Sequence, residues 1–165
     1  MADEGSKQAV VLGVEFSAIA HATEDERKVE RAVLNLVPEE AGGVATTVQR
    51  LSGYHGSPLA HMAMRISNRR SALETLTSLL RSLSPLDRRR LLDEAGDRVD
   101  SAGNLYLRLD KQRAYLGGAA LHEIDSIRVR FRFRIPHGAD PADFVRRSME
   151  EIMGEAEPAS EIPDI

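Results

Sequence analysis

Residues 127–135 alternate without a break between apolar and arginine side chains, and this pattern constrains the fold more than any other in the chain. The apolar positions are Ile127, Val129, Phe131, Phe133 and Ile135, and the basic positions are Arg128, Arg130, Arg132 and Arg134. Successive side chains of a β-strand point to opposite faces, so one face of this strand is apolar and the other carries only arginines. Such a strand is buried on one side only, which is typical of an antiparallel sheet with helices packed on one layer.

The rest of the chain contains four more candidate strands and four candidate helices. Alternation and β-branched residues predict strands at 10–21, 44–51, 59–66 and 105–109. Apolar residues at helical spacing predict helices over 24–37, over 72–83, from Pro85 onward and after Pro141, with Thr23–Glu26 and Ser84 as N-terminal capping signals. The sequence therefore predicts an α+β fold, a largely antiparallel sheet with helices packed on one face in two layers.

The length of 165 residues is usual for one domain. We predict a flexible N-terminal tail at 1–8, a single domain at 9–154 and an acidic, flexible C-terminal tail at 155–165. The chain has no cysteine, which excludes disulfides and thiolate metal sites and is compatible with the cytoplasm. The N-terminus is polar, and no apolar run approaches the ~18 residues of a membrane span, so secretion and membrane insertion are not expected.

The charges are distributed unevenly, although the net charge of the chain is −4. Residues 63–134 hold fifteen Lys and Arg against nine Asp and Glu, whereas both flanking segments are acidic. Nucleic acids respond to such local patches and not to the sum over the whole chain. A site for a polyanion is therefore expected in the middle of the chain.

The four arginines of residues 128–134 form a row with steps of roughly 6.8 Å, twice the rise of a strand. Like charges side by side destabilise a sheet, so the row needs carboxylates on neighbouring strands or an external polyanion. If the fourth and fifth strands pair, Tyr106, Arg108 and Asp110 share this face, and the first strand adds only Glu15. Guanidinium groups bridge phosphates, and Arg and Tyr stack on bases, which suits RNA. The alternative is a solvated face that pairs with helical acids and binds nothing.

Patterns typical of enzymes and metal sites are missing from the sequence. The five histidines show no metal-ligand spacing, and there is no nucleophile elbow, phosphate loop or dinucleotide-binding motif. We therefore expect no enzyme activity, no cofactor and no metal. Residues 53–56 (Gly-Tyr-His-Gly) match the GxxG loop of KH domains, but that loop joins two helices and this one joins two predicted strands. Tyr54 and His55 are candidate RNA contacts only through their position at a hairpin tip.

Several segments together resemble a known protein family. They are residues 20–25 (Ala-His-Ala-Thr-Glu-Asp), 37–40 (Val-Pro-Glu-Glu), 53–58 (Gly-Tyr-His-Gly-Ser-Pro), 104–112 (Asn-Leu-Tyr-Leu-Arg-Leu-Asp-Lys-Gln) and 115–117 (Tyr-Leu-Gly). The family is archaeal and is described as RNA-binding proteins and predicted exosome subunits. The resemblance runs from about residue 10 to residue 135, and it implies a fold similar to that of the large-subunit ribosomal protein that binds 5S rRNA.

The resemblance also directs attention to Lys111 and Gln112, which match the family motif. They are expected at the end of the fourth strand, beside the arginine row, where they become candidate phosphate or sugar contacts. A structural role for the same motif, such as Asp110 capping a turn, is the alternative.

Taken with the arginine row, these residues predict a non-catalytic RNA-binding protein, with RNA processing or degradation and the exosome as the implied setting. The predicted RNA contacts are Arg108, Lys111, Gln112, Arg128, Arg130, Arg132, Arg134, Tyr54 and His55. The alternative is a protein-interaction module, or a homodimer, that uses the sheet face or a strand edge without nucleic acid.

Overall fold

A computed structural model describes residues 10–53 and 56–156 of the chain. Within these ranges it contains five strands and six helices. The strands are β1 (Val11–Ala20), β2 (Val44–Ser52), β3 (Pro58–Ile66), β4 (Asn104–Leu109) and β5 (Ile127–Phe133). The helices are α1 (Glu26–Asn35), α2 (Arg69–Ser82), α3 (Pro85–Asp93), α4 (Ala95–Arg98), α5 (Lys111–Tyr115) and α6 (Pro141–Ala156).

The strands form one sheet in the order β2-β3-β1-β5-β4, and every neighbouring pair is antiparallel. The inward face of the sheet is apolar, and α1, α2 and α6 contribute buried residues to the same core. Phe16 on β1 and Phe131 on β5 are among the largest fully buried side chains. The predicted α+β fold class, with its helices on one layer, is confirmed.

Two of the helix starts follow directly from capping chemistry. Ser84 accepts a hydrogen bond from the backbone N of Asp87 at 3.1 Å, and Pro85 occupies the first turn of α3, as predicted. The predicted capping box of Thr23 and Glu26 is wrong. Asp25 caps α1 instead, because its carboxylate accepts from the backbone N of Arg27 at 2.9 Å, so α1 begins two residues later than expected.

The first strand departs from simple alternation near its start. The pairing of β1 with β5 shifts in register between Val11 and Gly13, so Leu12 is the extra residue of a β-bulge. Val11 is fully buried and Leu12 only half-buried, whereas alternation alone predicts that Leu12 points into the core. The bulge also places Gly13 opposite Arg132 on the outward face.

No helix in the described part of the chain has the length and apolar character needed to cross a membrane. The predicted N-terminal tail and nearly all of the predicted C-terminal tail lie outside the described residues, and α6 ends at Ala156.

Candidate nucleic-acid interface

The arginines of β5 point to the face of the sheet that lies opposite the helices, which we call the open face. Arg130 lies between Tyr106 of β4 and Glu15 of β1, its two cross-strand neighbours. Arg132 lies between Asn104 and Gly13. The antiparallel registers therefore place a row of arginines along β5, next to the edge strand β4.

Glu15 is the carboxylate that projects among these arginines. It lies 2.8 Å from Nη2 of Arg130 and 3.0 Å from Nη2 of Arg65 on β3. The other three members of the predicted row are Arg128, Arg132 and Arg134. They form no ion pair with any residue that the structure describes. The row is thus neutralised at one position and keeps its positive charge at the others.

Arg108 of β4 lies directly opposite Arg128 of β5. Directly opposed residues in an antiparallel pair have Cβ atoms roughly 4.5–5.5 Å apart, so these two cations share one patch of surface. Arg108 makes one weak polar contact with the described residues: its Nη1 lies 3.4 Å from the backbone carbonyl oxygen of Glu123. Neither guanidinium has a carboxylate partner in this part of the chain, and their mutual repulsion is not relieved internally.

A groove of about 1130 Å³ runs along the open face. Its floor includes Ser17, Ala63 and Thr47, whose side chains are small, and one wall is formed by α3 and α4 beyond β4. Among the described residues that line it, six are arginines (Arg65, Arg90, Arg98, Arg108, Arg128, Arg130) and four are acids (Glu15, Glu94, Asp97, Glu123). The groove is therefore positive, although the whole chain is acidic.

The helical wall of the groove is held by a network of ion pairs. Glu94 accepts from Arg98 at 2.7 Å and from Arg90 at 3.1 Å, and Glu123 lies 3.0 Å from Arg90. These hydrogen bonds, from Arg98 first and then from Arg90, lower the pKa of Glu94 from its ordinary value. The Arg98 side chain is nearly buried, and its Nη1 also points to the carbonyl oxygen of Tyr106. Arg90 and Arg98 already pair with carboxylates. We therefore assign them to the wall of the groove and not to its unpaired cations.

Tyr106 presents an aromatic ring on the open face, where 44% of its surface is exposed. Its hydroxyl donates to Oδ2 of Asp100 at 2.9 Å. Asp100 also accepts from the backbone N and the side-chain amide of Asn104 and from the backbone N of Ala102. These hydrogen bonds, led by the backbone N–H of Asn104, lower the pKa of Asp100 to about 2. The ring is thus anchored by a carboxylate that is charged at neutral pH.

Lys111 lies just beyond the end of β4, but its ammonium points to the end of β1 and pairs with protein groups. β4 ends at Leu109, Asp110 caps α5 by accepting from the backbone N of Arg113, and Lys111 begins that helix. The Lys111 ammonium donates to the carbonyl oxygen of Ile19 at 2.7 Å, and its side chain is only 12% exposed. The structural alternative, in which Asp110 caps a turn, is what the structure shows for this motif.

The ammonium of Lys111 lies at the centre of a cluster at the end of β1. It is 3.0 Å from Glu24 and 2.9 Å from Asp125, and His21 is 3.0 Å from the same Asp125 oxygen. Burial alone raises the pKa of Asp125, but the hydrogen bonds from Lys111 and His21 outweigh it, so the net shift is downward. His21, Glu24 and Asp125 have the chemistry of metal ligands, but the cation among them is Lys111. Segments 20–25 and 104–112, which carry the resemblance, meet here.

Three predicted contacts remain: Gln112, Tyr54 and His55. Gln112 is exposed on α5. Tyr54 and His55 lie outside the described residues. In contrast, Arg65 and the wall arginines line the groove without having been predicted, because their positions depend on strand register and helix docking.

Comparison with known proteins places this chain in a family. A family model described as RNA binding matches residues 13–133. The chain belongs to this family. The RNA-binding protein PAB1135 of Pyrococcus abyssi is 36% identical over 124 residues, which cover 73% of this chain and 80% of that protein. The resemblance predicted from the sequence motifs is confirmed.

Solved structures from archaea share the fold of this RNA-binding family member. Protein AF2318 from Archaeoglobus fulgidus is similar with a TM-score of 0.72 and 28% identity, covering 84% of this chain and 99% of that one. Protein Mth689 from Methanothermobacter thermautotrophicus has a TM-score of 0.67 and 27% identity, covering 87% of this chain and 98% of that one. The five-stranded antiparallel sheet with its helices is thus an architecture that experimental structures contain.

Proposed function

We propose that this protein binds RNA on the open face of its sheet and performs no chemistry of its own. The observation that carries the proposal is the cross-strand pair of Arg108 and Arg128, which have no carboxylate partner among the described residues. Two cations held side by side destabilise a sheet, whereas a phosphate placed between them relieves the repulsion and accepts hydrogen bonds from both. A polyanion supplies the negative charge that this face lacks.

Membership of the RNA-binding family and the name of the P. abyssi relative support RNA as that polyanion. Arg128 and Arg132 on β5 and Arg134 just after it extend the positive strip, so a sugar-phosphate backbone can follow the strand. We extend the proposal to an accessory role in RNA processing or degradation in the cytoplasm, including association with the exosome. This setting rests on the resemblance of the motifs, and the RNA site rests on the arginines.

The direct test compares two double variants with the same change in charge. Arg128→Gln with Arg132→Gln removes two unpaired cations from the open face. Arg70→Gln with Arg147→Gln removes two exposed cations from the helix layer. Binding of labelled single-stranded and hairpin RNA is followed by fluorescence anisotropy over a salt series. We expect the open-face variant to lose at least about 100-fold in affinity, since each of the two lost charge-assisted hydrogen bonds contributes about 1.5–3 kcal/mol.

The dependence on salt gives a second readout. Four arginines without carboxylate partners predict a slope of log affinity against log salt of about −2.8, from ~0.7 per phosphate contact to single-stranded RNA. The open-face variant should reduce the slope to about −1.4, and the helix-layer variant should leave it unchanged. Equal losses in both double variants, or no binding by the wild type, would exclude this face as the RNA site.

A second candidate function, homodimer formation, is favoured by the edge strand β2. All nine of its residues are exposed, including Val44, Val48 and Leu51. Its extensive contacts are with β3, on one side of the strand. The strand contains no proline, no lysine and no acid, so it lacks the usual devices that protect a sheet edge. Its one charged residue, Arg50, pairs with Glu26.

The geometry of β2 defines how a second copy would pair with it. Gly53 donates its N–H to Ser57 across the hairpin, so alternation along the strand directs the N–H of Val48 away from β3. Pro58, which has no N–H, lies opposite Ser52 and agrees with this assignment. An antiparallel pair of β2 strands centred on Val48 uses the full strand and places no like charges opposite each other.

Sedimentation velocity over a concentration series tests the dimer. We expect the wild type to dimerise and Val48→Pro to remain monomeric, because proline removes the outward N–H without disturbing the ladder to β3. Val48→Thr keeps both the branched side chain and the N–H, and should dimerise like the wild type. A monomeric wild type, or a dimeric Val48→Pro, contradicts this candidate.

A further inference from the structure

We propose that the RNA taken by the open face is single-stranded and that one of its bases stacks on the ring of Tyr106. This inference rests on the proposed RNA-binding function and deepens it by naming the kind of RNA. It starts from the position of Tyr106, which is an exposed aromatic residue inside a strip of arginines. On β4 it lies between Asn104 and Arg108 on the same face, and across the sheet it lies opposite Arg130.

The ring of Tyr106 is held in place before any ligand arrives. Its hydroxyl donates to Asp100 at 2.9 Å, and three further hydrogen bonds from Ala102 and Asn104 hold that carboxylate in the turn before β4. A side chain that is already ordered loses little conformational entropy on binding. Because the hydroxyl is occupied by Asp100, what the residue offers to a ligand is the face of its ring.

An exposed ring in a positive groove suits single-stranded RNA better than a duplex. In an A-form duplex the bases are stacked on each other, and proteins contact the backbone and the 2′-hydroxyls. The bases of a single strand are free to leave the stack and lie on an aromatic side chain while cations hold the backbone. Arg108 and Arg128 lie next to Tyr106 on this face and provide those cations.

The test uses a labelled single-stranded oligouridine and a blunt-ended RNA duplex as probes. Tyr106→Leu removes the ring and keeps an apolar side chain, and Tyr106→Phe keeps the ring and loses the hydrogen bond to Asp100. We expect Tyr106→Leu to weaken binding of the oligouridine by about 5- to 150-fold and to leave duplex affinity unchanged. Tyr106→Phe keeps the stacking surface but frees it from Asp100, so it should weaken binding less than Tyr106→Leu does. Urea unfolding confirms that each variant is folded.

A fluorescent reporter makes the stacking itself visible. The chain contains no tryptophan, so Tyr106→Trp introduces a single one at this position. We expect its emission to be quenched by the oligouridine but not by an abasic oligomer with the same backbone, even though both bind the arginines. Equal quenching by both oligomers would overturn stacking.

The results separate this inference from the proposed function. If Tyr106→Leu binds oligouridine like the wild type while the arginine variants lose binding, the RNA site stands and the stacking role is wrong. If Tyr106→Leu weakens duplex and single strand equally, selectivity for single strands is wrong. If the wild type binds no RNA, both are wrong.

Discussion

Arg108 and Arg128 face each other across the β4–β5 ladder, and neither has a carboxylate partner among the described residues. Such a pair lowers the stability of the free protein, because like charges directly opposite each other repel. Nearby acids are already committed to other cations: Glu15 to Arg130 and Arg65, and Glu123 to the helical wall. The repulsion within this pair thus destabilises the free protein, and a bound phosphate would offset it.

The first prediction is that a change at Arg108 has opposite effects on stability and on RNA binding. Arg108→Gln should raise the free energy of unfolding by roughly 0.2–1 kcal/mol, since it removes the repulsion with Arg128. The same variant should weaken RNA binding. Urea unfolding and fluorescence anisotropy measure the two effects. A variant that loses both stability and binding would contradict this prediction and show that Arg108 stabilises the sheet.

A second prediction concerns Lys111, whose ammonium holds together β1, α5 and the loop before β5. Lys111→Met keeps the length of the side chain but leaves the carboxylates of Glu24 and Asp125 without their shared cation. We expect a loss of roughly 1–3 kcal/mol in the free energy of unfolding, measured in urea.

The matched control for that change is Lys28→Met. The Lys28 ammonium lies 5.8 Å from the centre of the Tyr115 ring, a contact on the exposed surface of α1. We expect its loss to cost less than about 1 kcal/mol. RNA affinity should change little in Lys111→Met, because Lys111 is engaged with protein groups; a large loss of affinity with normal stability would return Lys111 to the list of RNA contacts.

The sequence predicts the sheet and the arginine row because both depend on alternation along single strands. The pattern from Ile127 to Phe133 defines which side of β5 is buried, and no tertiary information is needed for that. Ser84 followed by Pro85 similarly defines the start of α3 from chemistry within four residues.

Other features depend on contacts between distant segments, and a single sequence does not reveal them. The five residues of α5 are too few to show a helical period, so the sequence does not reveal that Lys111 begins a helix. The bulge at Leu12 is set by its pairing with β5. The pairing of Glu15 with Arg65 and Arg130 requires the registers of β3, β1 and β5 together, which local patterns do not contain.

A third prediction concerns pH and Asp100, whose pKa is lowered to about 2 from an ordinary value of 3.8 by the hydrogen bonds it accepts. A lowered pKa in the folded state means that the carboxylate stabilises the fold fully above about pH 4. This contribution is lost as the pH falls towards about 2. The free-energy difference between wild type and Asp100→Asn should therefore be largest near neutral pH and shrink between pH 4 and pH 2. A difference that does not vary over this range would contradict the assignment.

The last prediction tests whether Glu15 limits RNA binding. Glu15 is the carboxylate that pairs with Arg130 and Arg65 on the open face, and it also repels phosphate. Glu15→Gln should raise RNA affinity roughly twofold to tenfold, because one negative charge leaves the site and two guanidinium groups become free. The slope against salt should steepen by up to about 1.4, from ~0.7 for each freed cation. Stability should fall by less than about 1 kcal/mol, as is usual for partly exposed ion pairs. Glu30→Gln, which makes the same change in charge on the exposed side of α1, should alter neither affinity nor slope. If Glu15→Gln binds RNA more weakly than Glu30→Gln, then Glu15 acts by holding Arg130 and Arg65 in the geometry that RNA requires, and the ion pairs are part of the binding site.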